Sequence, residues 1–153
     1  MKRARRYNTP LTAIMADMDY LKPINDDLGH AAGDRAIAAV ASVIRAELRE
    51  TDFGARYGGD EFVILLPHTS RDEGRVLGER ICARLRQTSL DIGGRSVPLG
   101  ASFGVACMPE NAEMAADALV AEADSALYKA KRAGRGRVAV APPITEPGSR
   151  ERA

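Results

Sequence analysis

The feature that most constrains this chain is a glycine pair, Gly58-Gly59, set between two short apolar runs and followed at once by Asp60 and Glu61. Phe53 to Tyr57 precedes the pair, and Phe62 to Leu66 follows it. Two strand-like runs around a glycine turn predict a β-hairpin, with whatever follows the glycines placed at its tip. A hairpin tip carrying two carboxylates is either an ordinary solvated turn or the edge of a chemical site.

The rest of the pattern surrounds that hairpin with a sheet and helices. Leu11 to Asp17 reads LTAIMAD, a short apolar run that predicts a strand buried on both faces. Polar turn residues are expected after it, ending in Gly29-His30-Ala31-Ala32-Gly33-Asp34. From there to Leu48, the positions Ile37, Val40, Ala41, Ile44 and Leu48 recur at helical spacing. Ser70 is placed to cap a second helix whose inner face is Leu77, Ile81 and Leu85. Asp91 to Arg95 reads as a hairpin turn, and Val97 to Met108 as a strand. Ala116, Leu119, Val120, Ala123, Leu127 and Ala130 define a third helix ended by Gly134, followed by a short strand from Val138 to Val140. Tyr128 and Phe103 fall on apolar faces and are read as core. The order predicts an α+β fold: a ferredoxin-like, palm-type antiparallel sheet with helices packed on one face. Residues 1–140 form one domain, and the Pro-rich, polar segment 141–153 is expected to be a disordered tail.

Composition narrows the chemistry. The chain has 153 residues, 45% of them apolar, which suits one globular domain. A net charge of +1 gives no global attraction to nucleic acid polymers or to a membrane, so phosphate binding must come from local placement of charge. No apolar run reaches the 18 residues or so needed for a membrane span, and the basic start lacks the apolar centre of a signal peptide. Cys82 and Cys107 have no metal-like spacing and read as reduced core thiols of a cytoplasmic protein.

No Ser/His/Asp set is legible, and His30 and His68 have no evident partners. Carboxylates at strand ends remain. Asp17 and Asp19 end the first strand and point the same way, because strand residues alternate faces. If that strand lies beside the hairpin, Asp17 and Asp60 or Glu61 converge at one sheet edge. Carboxylates without His or Cys suit Mg²⁺, which takes one or two protein carboxylates plus substrate phosphates. Phosphoryl or nucleotidyl transfer is then the natural reaction class. Side chains at Gly58 and Gly59 would block a close approach by a nucleotide.

Gly58-Gly59-Asp60-Glu61-Phe62 is the signature from which the GGDEF family takes its name. It stands here with Asp17-Met-Asp19-Tyr-Leu-Lys22-Pro-Ile-Asn25-Asp26, Gly29-His30, Gly33-Asp34, Arg56-Tyr57, Ser102-Phe-Gly104-Val-Ala106 and Ala123-Asp124-Ser-Ala-Leu-Tyr128-Lys-Ala-Lys131. The order and spacing over roughly residues 5–140 resemble that family of diguanylate cyclases throughout. The resemblance implies a nucleotidyl-cyclase-like fold and the condensation of two GTP into cyclic di-GMP. It implies two Mg²⁺ or Mn²⁺ ions per GTP site, held by Asp17, Asp60 and the main-chain carbonyl of Met18. It makes Asp60 and Glu61 catalytic, with Glu61 helping to activate the 3′-hydroxyl. Asn25 and Asp34 resemble the pair that reads guanine, whose edge complements an amide and a carboxylate. Lys22, Lys131 and Arg135 resemble the cations that neutralise the triphosphate, with Arg56 joining them and Gly58 and Gly59 lying against the nucleotide. Plainer readings stand beside these: Asn25 as a turn residue, Asp34 as a helix N-cap, Lys131 and Arg135 as cations at a helix C-terminus.

Each domain would hold one GTP, so two domains must meet face to face. The implied partners are GTP, cyclic di-GMP and a transient or signal-induced second copy, with no membrane contact by this domain. Arg49-Glu-Thr-Asp52 lies where the family carries an Arg-x-x-Asp product-inhibition motif, and Arg80 or Arg84 is a candidate to complete it. The alternative is a helix end at Arg49 and a turn at Asp52. The family usually opens with an Asp-x-Leu-Thr-Gly-Leu-x-Asn-Arg-Arg segment of which only Arg3 to Arg6 has a counterpart, so an excised or truncated domain is expected. The competing readings are a catalytically silent receptor for cyclic di-GMP or GTP, and a nucleotidyl transferase of another product.

Overall fold

A computed structural model describes residues 8–144 of the chain. Strand β1, Leu11–Met18, is buried at every position. Its side chains divide by parity: Ile14, Ala16 and Met18 enter one apolar core, Leu11, Ala13 and Met15 another on the opposite face. That is what an unbroken apolar run produces when both faces of a sheet are covered.

The hairpin forms as expected from β2, Phe53–Gly58, and β3, Glu61–Pro67. β3 runs antiparallel along β1, and β6, Ala101–Met108, does the same on the other side. β7, Val138–Val140, pairs with β6 in parallel. The sheet order is β2-β3-β1-β6-β7. A separate hairpin, β4 at Ser89–Ile92 and β5 at Arg95–Pro98, turns at Gly93-Gly94. The strand expected over Val97 to Met108 is therefore two strands, broken at Leu99-Gly100.

Four helices flank the sheet. α1, Leu21–Leu28, α2, His30–Glu47, and α3, Arg71–Arg86, bury Ile24, Val40, Ile81 and their neighbours on the Ile14 face. α4, Ala116–Arg132, lies on the other face with Leu119, Ala123 and Leu127. The expected palm-type α+β fold is the one observed, with two differences: the helices occupy both faces, and β7 makes the sheet mixed. Both follow from α4, which carries the chain over the sheet and returns it parallel to β6.

Local chemistry explains most element ends. Ser70 and Glu73 form a reciprocal capping box: Glu73 N–H donates to Ser70 Oγ at 3.2 Å, and Ser70 N–H to Glu73 Oε2 at 2.7 Å. α1 stands where a polar turn was expected. Asn25, Asp26 and Asp27 favour turns, but Pro23 in the first turn costs no hydrogen bond, and Leu21, Ile24 and Leu28 dock on the core. α2 starts at His30, four residues before Asp34, so Asp34 is not its cap. Tyr128 is exposed rather than core, with the Arg132 guanidinium 5.7 Å from its ring centre. The inward stripe of α4 passes through Leu127 and Ala130 instead, whereas Phe103 is fully buried as expected.

Gly104 fixes the seat of α4. A Cβ there would lie 2.1 Å from the Ala123 carbonyl oxygen and 2.2 Å from the Leu127 nitrogen. Helix backbone thus rests directly on strand backbone, which only glycine permits. At the chain's end, Ala141 is buried and donates its N–H to Val105 O at 2.7 Å, so the ordered domain includes the first residue of the expected tail. Residues 145–153 of that tail, and Arg3 to Arg6, lie outside the described residues. Among the described residues, no helix is long and apolar enough to cross a membrane.

Candidate active site

The end of β1 and the tip of the β2–β3 hairpin meet. Asp17 is the register partner of Glu61, and Met18 N–H donates to the Asp60 carbonyl at 3.0 Å. The ladder shifts between Arg56 and Gly58, and Gly59 turns the chain at φ +41°. Arg56 Nε closes the turn by donating to Gly59 O at 2.8 Å. A Cβ at Gly58 or Gly59 would meet nothing within 4 Å, so the face above the tip is open.

Asp17 dominates the electrostatics. It is only 7% exposed. Its Oδ2 is paired with Lys131 Nζ from the last turns of α4, while its Oδ1 is buried without a hydrogen-bond partner. Burial pushes its pKa from 3.8 up to about 6; Lys131 opposes the rise, and the nearby Asp60 carboxylate adds to it. An orphaned carboxylate oxygen in a buried position demands an explanation, and a bound cation is one that its chemistry suits. Among the described residues, no three His, Cys, Asp or Glu side chains cluster as a metal centre. The available donors are the Asp17 and Asp60 carboxylates and main-chain oxygen, a hard set that leaves room for phosphate.

The other residues singled out from sequence fall into three groups. Asn25 and Asp34 sit on adjacent helices. The Asn25 Oδ1 is buried and unpaired, and a Cβ at Gly33 would lie 1.7 Å from it, so Gly33 makes room for that amide. Asn25 lies inside α1, not in a turn. Asp34 is exposed on α2 and lines a cavity of about 520 Å³ with Arg56, Phe62 and Ile64. Lys22 is exposed in the first turn of α1. Arg135 follows α4, and its guanidinium lies 5.7 Å from the ring centre of Tyr20, which precedes α1. These elements bring cations from three segments to the same end of the sheet as Asp17.

Arg49 and Asp52 also line the cavity beside Asp34, and with Arg80 they line an adjoining one of about 180 Å³. Asp52 Oδ2 accepts from Arg49 N–H at 2.8 Å, so the Arg-x-x-Asp segment is a closed turn as well as a candidate site. Glu47, not anticipated from sequence, ties this region together: its carboxylate pairs with Arg80 at 2.5 Å and with Arg84 at 2.7 Å. Asp19, read beside Asp17 as an acid of the same edge, has a different setting. It is buried and accepts from Ser102 Oγ at 2.8 Å and from Gly136 N–H at 2.9 Å. Nothing in the spacing of Asp19, Ser102 and Gly136 could have announced that meeting.

A palm-type sheet with carboxylates at the end of its central strand and at an adjoining hairpin tip defines the nucleotidyl-cyclase-like class. Within that class, the chain belongs to the GGDEF domain family of diguanylate cyclases, whose sequence profile matches residues 1–137. It is 42% identical over 139 residues to diguanylate cyclase DgcP of Pseudomonas aeruginosa, covering 91% of this chain and 20% of that protein. It is 39% identical to diguanylate cyclase A of Treponema denticola, covering 84% of this chain and 34% of that one. Its fold matches the GGDEF domain of DgcB from Caulobacter crescentus, solved in complex with c-di-GMP, with a TM-score of 0.85 and 30% identity over 91% of this chain and 80% of the other. The chain thus spans a fifth to a third of the length of these two curated relatives.

Proposed function

We propose that this domain joins two GTP molecules into cyclic di-GMP, releasing two pyrophosphates. The observation that carries the reading is Asp17: buried, one oxygen unpaired, facing Glu61 and flanked by Asp60 and Lys131. Its donor set fits Mg²⁺ or Mn²⁺, which Asp17, Asp60 and the Met18 carbonyl would hold, two ions per nucleotide. When bound, such ions neutralise charge on the phosphate oxygens.

The remaining work belongs to the chain's own side chains. Lys131, Arg135 and Lys22 hold the triphosphate, and Arg56 braces the hairpin on which it lies. Gly58 and Gly59 leave the surface bare for it. Asn25 and Asp34 read guanine: the carboxylate accepts from N1–H and the exocyclic amine, and an adenine edge would leave both groups badly paired. Glu61 orients and deprotonates the 3′-hydroxyl. That oxygen attacks the α-phosphorus of the GTP on a second copy, the bond to pyrophosphate breaks, and the same exchange in the other direction closes the ring. One pocket holds one GTP, so a homodimer does the chemistry. Cyclic di-GMP returns to the cavity of Arg49, Asp52 and Arg80, where the guanidinium groups meet phosphate or the Hoogsteen edge of guanine.

The test is incubation of concentrated protein with GTP and Mg²⁺, with nucleotides resolved by chromatography and Glu61→Ala as control. Cyclic di-GMP from the parent chain alone is expected. Tight nucleotide binding with no product, under conditions where a relative of the family turns over, would replace the enzyme with a receptor.

A further inference from the structure

We infer that Asp19 is a positioning residue for the triphosphate: with Ser102 it holds the turn between α4 and β7, and with it Arg135, against the end of β1. The inference rests on the functional reading above and adds to it a part that the carboxylate site alone does not contain.

The turn needs holding. Gly134, Arg135 and Gly136 all have positive φ, +128°, +62° and +57°. For an arginine, the left-handed region is unfavourable and persists only where neighbours enforce it. Part of the turn is held by α4 itself, with Gly134 N–H donating to Lys131 O at 3.3 Å and Arg135 N–H to Ala130 O at 3.1 Å; the contacts from the rest of the fold gather on Gly136. Its N–H donates to Asp19 Oδ2 at 2.9 Å and to Ser102 Oγ at 3.1 Å. Ser102 in turn donates its hydroxyl to Asp19 Oδ1 at 2.8 Å. Both Asp19 and Ser102 are almost wholly buried. The Gly136 carbonyl is held from the other side, by the Cys82 thiol at 3.3 Å and by the Arg86 guanidinium, both on α3. One residue is thereby held at both its N–H and its carbonyl, from three segments of the chain.

Two consequences reach the site. Phe103 N–H donates to Arg137 O at 2.9 Å, so the fixed turn feeds directly into the β6–β7 ladder. Arg135 is presented outward with its guanidinium 5.7 Å from the Tyr20 ring centre. Tyr20 itself sits at φ +62° between Asp19 and α1. Asp19 therefore grips the turn from behind while its neighbour Tyr20 braces the arginine in front. A long cation that is pre-placed loses less freedom when it meets phosphate than one that is free. Asp19 works through Arg135 and touches no nucleotide itself.

The discriminating measurement is the ratio of GTP affinity to guanosine affinity, by calorimetry with Mg²⁺. A lost grip on Arg135 weakens only the phosphate end, whereas a damaged fold weakens both ligands alike. In Asp19→Ala, the GTP dissociation constant and KM are expected to rise about tenfold, the loss of one charge-assisted phosphate contact. Guanosine affinity is expected to be unchanged, and kcat to move by less than about threefold. Asp19→Asn, whose amide can still accept from Gly136 and donate to Ser102, is expected to recover most of the loss. Tyr20 is exposed, so Tyr20→Leu tests the front brace even if the buried variant fails to fold. It should lower the GTP-to-guanosine ratio, and Tyr20→Phe should restore it. A ratio unchanged in Tyr20→Leu and in folded Asp19→Ala overturns the inference while leaving the cyclase intact. A parent chain that binds GTP no better than guanosine overturns the functional reading and this inference together.

Discussion

Asp60 contributes to the fold through its backbone and, on the proposed reading, to the chemistry through its side chain. Its carbonyl receives Met18 N–H, a bond that any residue would keep. Asp60→Ala is therefore expected to leave thermal stability within about 0.5 kcal/mol of the parent while cutting turnover by about a hundredfold or more. A melting curve and a GTP assay on one preparation check both halves, and retained turnover would remove Asp60 from the chemistry. Glu47 offers a second separation. It already neutralises Arg80 and Arg84, so an anion arriving there must compete with it. Glu47→Gln is expected to tighten inhibition by cyclic di-GMP about threefold, the scale of an exposed ion pair; weaker inhibition would mean that Glu47 shapes the cavity rather than blocking it. At this scale, sequence reasoning works where one rule decides the outcome. Strand parity and hairpin register bring Asp17, Asp60 and Glu61 together, as their spacing implied. It fails where the partner is remote: Ser102 is 83 positions from Asp19, and Glu47 is 33 from Arg80. Tyr128 shows a subtler failure. It is adjacent to Leu127, and one residue is about 100° of helix rotation, enough to pass from core to solvent.

Elements were legible when their period and caps agreed. α3 had both, with Ser70 and Glu73 framing a helical stripe. The Glu73 carboxyl is held below its ordinary 4.5, first by the Ser70 backbone N–H and then by its side chain. A lowered value means that the cap stabilises the folded chain above pH 4.5 or so and ceases to as pH falls through the lowered value. The Tm difference between parent and Glu73→Gln should accordingly be present at pH 7 and vanish in strong acid; a constant gap would show that the amide loses something other than charge. α1 was illegible because its residues are turn formers, and its helicity comes from docking Leu21, Ile24 and Leu28. The placement of helices on both faces was hidden for a related reason. Periodicity shows that α4 has an apolar stripe but not which side of the sheet receives it. Gly104 holds that information, since there helix backbone touches strand backbone. Gly104→Ala is expected to cost about 3 kcal/mol and to lower Tm by about 6–12 °C. A wild-type melting point would mean that α4 can lift off without loss.

On the proposed reading, the whole molecule has one half of a reaction. With one nucleotide per domain, specific activity should rise with protein concentration and level off once dimers are saturated; a flat dependence over a wide range would mean either a permanent dimer, visible by sedimentation, or a chemistry completed within one chain. The architecture suits such a shared reaction, because Asp17, Glu61 and Lys131 meet where β1 ends and the face above the hairpin tip is open. The seat of α4 also bears on how a domain of this kind can change over time. Where helix and strand meet through side chains, substitutions in the core let the two drift apart or closer by fractions of an ångström. At Gly104 they meet through main chain, so the height of Lys131 above Asp17 is set by van der Waals contact between backbones and less by the choice of neighbouring side chains. The core around this point can therefore be repacked while the pairing of that lysine and that aspartate stays in place.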